Sequence, residues 1–385
     1  MKQLFNRMDK ILFFSALGLF IFGAIMILSA SSMESFARHG NSSYTFFIRQ
    51  VAFLIMGAIG TVIILVMPIK QITRLAPIII IITIGLLLGV HLYGTAVNAA
   101  GRWLPTGIAG FNIQPSEFAK PAIIVFLAWF FSKNKDKMNN LNTIFIAMIP
   151  VAIICISILL EPDLGTAIII TVTSLLMFYA VPAAKKTKKL VSLMLAGGAV
   201  IVLGLTFIFG TQILESHQVS RLEFMRPCDR YFERTGYQVC NGYIAINSGG
   251  LIGQGFGNST QKKLYLPEAY TDFIFPVIIE ELGFLSAVAI IFLYALIIAR
   301  IFIISKKSIT LEGSYIAYGV AVYIFCHIFI NIGGFSGLIP LSGVPLPFLS
   351  YGGSYTLALF ASLALVQRVA IEGSQSKKLA RKTKT

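Results

Sequence analysis

Long stretches of this chain carry no charged residue at all. Residues 11–31 form one such run, and 77–94, 144–160, 166–183 and 190–211 repeat it. Each is about as long as a helix needs to cross a ~30 Å hydrocarbon core. Soluble core helices are rarely so long or so apolar on every face. The pattern predicts ten membrane-spanning helices near 11–31, 46–67, 77–94, 116–132, 144–161, 165–182, 190–211, 273–304, 315–336 and 355–372. The first run follows Lys2, Arg7 and Lys10, as a signal peptide would. At about 20 residues it exceeds an ordinary signal core and further spans follow it, so it reads as a retained helix.

Composition agrees with a membrane protein. Of 385 residues, 56% are hydrophobic and 12% charged, and the mean hydropathy is +0.82. A soluble domain carries about twice that charge density. The fold expected is all-α and polytopic. A single transmembrane domain covers 1–372, with a long outer loop at 212–272 and a basic cytoplasmic tail at 373–385, read as disordered. No internal repeat is evident.

The net charge of +15 invites a nucleic-acid reading, but its distribution argues against one. Nineteen of the 31 Lys and Arg fall at the two ends and in alternate short connections, including Lys70 and Arg74, Lys185 to Lys189, and Lys306 and Lys307. This is the positive-inside asymmetry, which puts both termini in the cytoplasm. Neither a nucleic-acid motif nor a metal-ligand spacing of His and Cys is present. Cys228 and Cys240 share the outer loop, where a disulfide can persist; spacing alone leaves the bridge open. Cys155 and Cys326 lie in apolar runs and read as small core residues.

Four outer-face segments are too polar or too irregular for a plain span. The first contains Arg102-Trp103 and then Gln114-Pro115-Ser116-Glu117, with Lys120 three residues on. Pro115 suits the first position of a helix, and Glu117 and Lys120 share one face. A structural ion pair explains these two as well as ligand contact does. The second is Glu161-Pro162-Asp163-Leu164-Gly165-Thr166, where Asp163 reads as an N-cap or, as the alternative, a direct substrate or metal contact. The third runs from Lys262 and Lys263 through Leu266-Pro267-Glu268-Ala269-Tyr270-Thr271-Asp272 to Glu280-Glu281. Pro276 places a helix start near Phe273, so Asp272 is either an N-cap or a ligand group at the outer interface. Glu280 lies ~80° round the helix from Asp272 and about 12 Å deeper, while Glu281 is about opposite and suited to pairing with another helix. The fourth segment, 333–354, is dense in Gly and Pro and nearly free of charge. It reads as re-entrant backbone at membrane depth, either purely structural or offering amides and the hydroxyls of Ser350, Tyr351 and Ser354 to a polar head group.

Taken together, these four segments resemble the signatures of the SEDS family (shape, elongation, division and sporulation: the FtsW, RodA and SpoVE proteins). The resemblance covers nearly the whole chain. Gln261-Lys262 ahead of the Leu-Pro-Glu looks closer to the division and sporulation branch, and Tyr270 stands where many members carry His. The resemblance implies a multi-pass peptidoglycan glycosyltransferase of the bacterial cytoplasmic membrane. It implies lipid II as substrate, a class B penicillin-binding protein as partner within the division or elongation machinery, and a divalent cation such as magnesium or manganese. The family's essential loop aspartate maps onto Asp272. The chemistry then needs one base and a set of cations. Asp272 is the candidate base. Arg102, Lys120, Lys263 and Arg221 are candidates for holding the pyrophosphate, and Glu117 and Glu280 for orienting cations or shaping the cavity. No metal ligand is assigned. A lipid II transporter is the alternative, since buried acids and broken helices also mark transporters; a scaffold for a transpeptidase is a third reading.

Overall fold

The computed structural model describes residues 2–39, 42–97, 100–107, 112–161, 163–193, 226–230, 232, 234–263 and 265–382. Most of the predicted seventh span, Arg221, Glu233, Pro162 and Leu264 lie outside the described residues. Helices dominate. They are α1 (Lys10–His39), α2 (Thr45–Val66), α3 (Ala76–Tyr93), α4 (Pro115–Lys133), α5 (Leu141–Leu160), α6 (Leu164–Ala180), α7 (Arg234–Gly249), α8 (Ile274–Leu282), α9 (Phe284–Lys306), α10 (Leu311–Phe335) and α11 (Gly353–Lys382). Among the described residues, seven helices are long and apolar enough to cross a membrane, and α6 is a shorter apolar one. The protein is therefore a multi-pass membrane protein.

Burial sorts the helices. α4 is enclosed on nearly every face, and α10 and α11 are the most buried of the long helices. These three form the centre. α2 and α3 sit outside and turn Ile48, Ile55, Ile59, Ile63, Ile78, Ile81 and Ile82 outward, as a lipid-facing surface requires. α1 is an integral part of the bundle: Leu12, Leu19, Met26 and Ile27 are fully buried in it.

Three features depart from the sequence reading. The eighth span, expected as one helix over 273–304, is broken at Gly283 into α8 and α9. Gly283 has φ +80°, and a Cβ there would lie 2.3 Å from the Leu251 carbonyl oxygen. Only glycine tolerates both. A hydrocarbon core punishes freed backbone groups, so the 249–255 loop closes on the break. Gln254 and Gly255 donate to the carbonyls of Glu280 and Glu281 at 2.9 Å, and Phe284 donates to Gly250 at 2.9 Å. Second, the outer loop contains α7, and the 95–115 connection contains a small antiparallel sheet of β1 (Thr95–Val97), β2 (Ala100–Pro105) and β3 (Asn112–Ile113) in that order. Third, α11 runs on past Glu372 to Lys382, so most of the tail read as disordered is helix.

Cys228 and Cys240 form a disulfide that ties the 227–230 turn to α7. Cys155 and Cys326 are free, and Cys326 is buried.

Candidate functional site

The site is assembled around the 336–352 segment, which has no helix and runs through the interior: Leu346, Phe348, Leu349 and Ser350 are all buried. The Phe348 ring packs 4.9 Å from Phe20 and 6.2 Å from Tyr294. α1 passes so close that a Cβ at Gly23 would meet the Phe348 carbonyl oxygen at 2.2 Å, which is why that helix face carries no side chain there.

All four sequence segments converge on this strand of irregular backbone. The Tyr351 amide donates to the Tyr270 carbonyl at 2.9 Å. Ser350 Oγ donates to the Thr271 carbonyl at 2.6 Å and accepts from the Leu346 amide at 2.8 Å. Ser354 Oγ accepts from the Gln114 amide at 2.9 Å. Gly165 of the second segment lies against Ser342 and Val344. Arg102 on β2 joins the first segment to the second: its Nε donates to the Glu161 carbonyl at 2.8 Å, and its guanidinium lies 3.6 Å from Asp163.

Asp272 sits just outside α8. The N-cap position falls to Phe273, which has no capping side chain. Asp272 is half-buried, and its carboxylate points toward the loop, where a Cβ at Gly343 would be 3.3 Å from Oδ2. The turn before it is built on Glu268, which adopts a left-handed φ of +58°. The Glu268 carbonyl accepts from the amides of Thr271 and Phe273, and its carboxylate accepts from Thr271 Oγ1 at 2.7 Å. Asp163, by contrast, does cap its helix, accepting from Thr166 N at 3.2 Å.

The nine candidates among the described residues separate by exposure. Asp272 and Arg102 are partly open and Lys263 is exposed. The others have their polar atoms engaged within the protein or are packed into it. Lys120 Nζ lies 2.9 Å from both oxygens of Glu117 and 3.1 Å from His327 Nε2, and both partners of the ion pair are 3% exposed. The structural alternative for this pair is the arrangement found. Glu280 does not flank an open cavity: it accepts from Ser248 Oγ, Ser259 Oγ, Thr260 N and Gln261 N, pinning the 259–261 turn. Glu281 pairs across helices as its face predicted, with Ser29 on α1 and with Lys262 at 2.7 Å. Ser350 and Ser354 spend their hydroxyls on backbone, and Tyr351 is half-buried against Phe46 and Tyr270.

Glu161 differs from these groups. It is 2% exposed, and neither carboxyl oxygen has a hydrogen-bond partner among the described residues. Burial, and then the neighbouring Asp163 carboxylate, push its carboxyl up to about 8, against the pull of Arg102.

Three residues join these segments without having a role assigned from sequence. His327 bridges Lys120 to the Pro345 carbonyl, the latter at 3.2 Å. Asn331, one turn on along α10, donates to the carbonyls of Asp272 and Val344. Lys262 is the buried partner of Glu281, whereas its neighbour Lys263 faces out. The signal for the first two was present: two polar residues at i, i+4 spacing on an otherwise apolar span share one face.

Comparison with known proteins places this arrangement. The model of the FtsW/RodA/SpoVE cell cycle proteins matches residues 9–375. A probable peptidoglycan glycosyltransferase FtsW of Bacillus subtilis is 35% identical over 98% of this chain and 94% of its own length. A probable peptidoglycan glycosyltransferase FtsW of Wigglesworthia glossinidia brevipalpis is 35% identical over 94% and 92%. Among solved structures, a chain of a peptidoglycan synthase complex superposes with a TM-score of 0.75 at 22% identity, over 95% of this chain and 98% of that one. The rod shape determining protein RodA of Thermus thermophilus superposes at 0.67 and 22% identity, over 94% and 96%. These two likenesses concern the fold alone. By the extent of the family match and of the relatives' identity, the chain belongs to the FtsW/RodA/SpoVE family of cell cycle proteins, on its FtsW branch.

Proposed function

We propose that this protein polymerises lipid II into peptidoglycan glycan strands at the outer face of the bacterial cytoplasmic membrane, with Asp272 as general base. The observation that carries the assignment is the position of Asp272. It is a half-buried carboxylate outside a helix start, on a turn locked to the interior loop; Arg102 in the first segment is partly open and Lys263, earlier in the same segment as Asp272, is exposed.

The chemistry asks little more. The acceptor sugar hydroxyl gives its proton to the Asp272 carboxylate as its oxygen attacks the anomeric carbon. The bond from that carbon to the lipid pyrophosphate breaks, and the leaving oxygen takes the electron pair. Inversion at that carbon turns an α linkage into a β one in one displacement. The pyrophosphate needs no proton, only positive charge. Arg102 and Lys263 supply it, and Arg102 is held in place by the Glu161 carbonyl and Asp163. The Glu117–Lys120 pair and Glu280 act at one remove, by fixing the backbone around the site.

No three His, Cys, Asp or Glu side chains converge among the described residues, so the chain builds no closed metal cage there. A magnesium or manganese ion brought in with the substrate would be held on the protein side by a single carboxylate, Asp272. Its chemistry would be neutralisation of the leaving group. The description of the family as cell cycle proteins and the FtsW relatives support a role in wall synthesis at division. A class B penicillin-binding protein is the partner we propose, supported by the match to a synthase-complex chain. We place both termini in the cytoplasm.

The break at Gly283 favours a second reading, because transporters also bind substrate at discontinuous helices. Purified protein, with its transpeptidase partner and a divalent cation, is supplied with lipid II in liposomes. Long glycan chains support the polymerase. Movement of lipid II between leaflets without chains supports the transporter and refutes the polymerase.

A further inference from the structure

Three successive backbone carbonyls lead up to and include the proposed base, and each is held by a different donor. Tyr270 is held by the Tyr351 amide, Thr271 by Ser350 Oγ, and Asp272 by Asn331 Nδ2 at 3.0 Å. The first two donors belong to the interior loop, which is irregular backbone. Only Asn331 belongs to a membrane-spanning helix, and α10 is among the most enclosed of them.

The second amide hydrogen of Asn331 goes to the Val344 carbonyl at 2.8 Å. Val344 follows Gly343, the residue that faces the Asp272 carboxylate. One amide group therefore grips the base's segment and the loop wall opposite the base at the same time. Its orientation is unambiguous, because a flipped amide would set its oxygen against two carbonyl oxygens. Asn331 is 5% exposed, and its Oδ1 has no hydrogen-bond partner among the described residues. A buried orphan acceptor is costly. A side chain that carries that cost has its value in the two N–H bonds. Lys120 and His327, one turn below, tie the same helix face to Pro345.

We propose that Asn331 is the positioning residue for Asp272: it fixes the distance between the base and the 343–344 wall, and so where the acceptor hydroxyl must sit. The proposal rests on the reading of Asp272 as general base.

The test compares full-length wild type with Asn331→Leu, Asn331→Asp and Asp272→Ala, each with its transpeptidase partner and lipid II. Leu keeps the bulk and removes both ends of the amide. Asp keeps the shape but offers no donor when ionised. Both Asn331 variants are expected to lose about 10²-fold in kcat, as a misplaced reacting group does, with KM for lipid II within about threefold of wild type. Hydrogen exchange should quicken at 271–273 while the 315–327 part of α10 stays protected. A merely structural role would loosen α10 as well and would not give that split. If Leu loosens α10, Asp decides the matter. Normal kcat in both variants, or a rise in KM alone, overturns the proposal while Asp272→Ala remains inactive. An active Asp272→Ala instead overturns the base assignment.

Discussion

At the scale of single residues, neighbours in sequence have opposite lives. Lys262 and Lys263 are adjacent and chemically identical. Lys262 is 6% exposed and bonded to a Glu281 that is 0% exposed; Lys263 is exposed. Removing one partner of a buried pair leaves an uncompensated charge and costs about 3–5 kcal/mol. Lys262→Met is therefore expected to lower the melting temperature strongly in detergent. Lys263→Met should leave it unchanged but raise the KM for lipid II. Glu161 gives a pH signature. Its carboxyl rises from the ordinary 4.5 to about 8 in the native state, so the native state holds that proton more tightly than the unfolded chain. The stability it contributes is complete below pH ~4.5 and is lost as pH rises toward 8. Glu161→Gln stays neutral throughout. It should flatten the decline in melting temperature between pH 5 and 8; an unchanged decline would show that Glu161 is ionised. Which of the motif residues are open was not legible in the sequence. Helix geometry sets Glu280 deeper than Asp272, but nothing in the sequence tells that the 259–261 turn folds back onto Glu280 and engages its carboxylate.

At the scale of elements, the hydrophobic runs located α1 to α6, α10 and α11 among the described residues, because a membrane helix must satisfy its own backbone and be apolar for its full length. The break at Gly283 was hidden by that same apolarity: both halves read as one run. What makes the break is a glycine conformation and the approach of a second backbone, and neither leaves a mark in hydropathy. Gly283→Ala should cost about 3 kcal/mol or more, combining a left-handed φ with a Cβ driven against the Leu251 carbonyl. Thermal unfolding reads the loss. A variant as stable as wild type would mean that the helix runs straight through in the membrane. α7 and the small sheet carry no membrane signal, because their patterns are amphipathic or short, and hydropathy alone does not distinguish them from loop.

At the scale of the whole molecule, the family signatures lie far apart in sequence and meet where α4, α10 and α11 pack together at the centre. The motifs named the segments that would meet, and the geometry shows how they share work. Hydroxyl and amide bridges tie the 336–352 loop to the turn that carries Asp272, and Asp272, Arg102 and Lys263 are the candidates left partly open or exposed. We propose the protein's orientation from the charge asymmetry: a reporter that works only in the cytoplasm should be active when fused at either terminus, and activity there of a reporter that works only outside the cytoplasm would invert the topology. The central claim is that Asp272 is the base of an outer-face glycan polymerase. It is tested most directly by glycan synthesis from purified lipid II with wild type, Asp272→Ala and Asp272→Asn, each bound to its partner. The account predicts long chains from wild type and none from either folded variant; chains of normal length and rate from Asp272→Asn would contradict it.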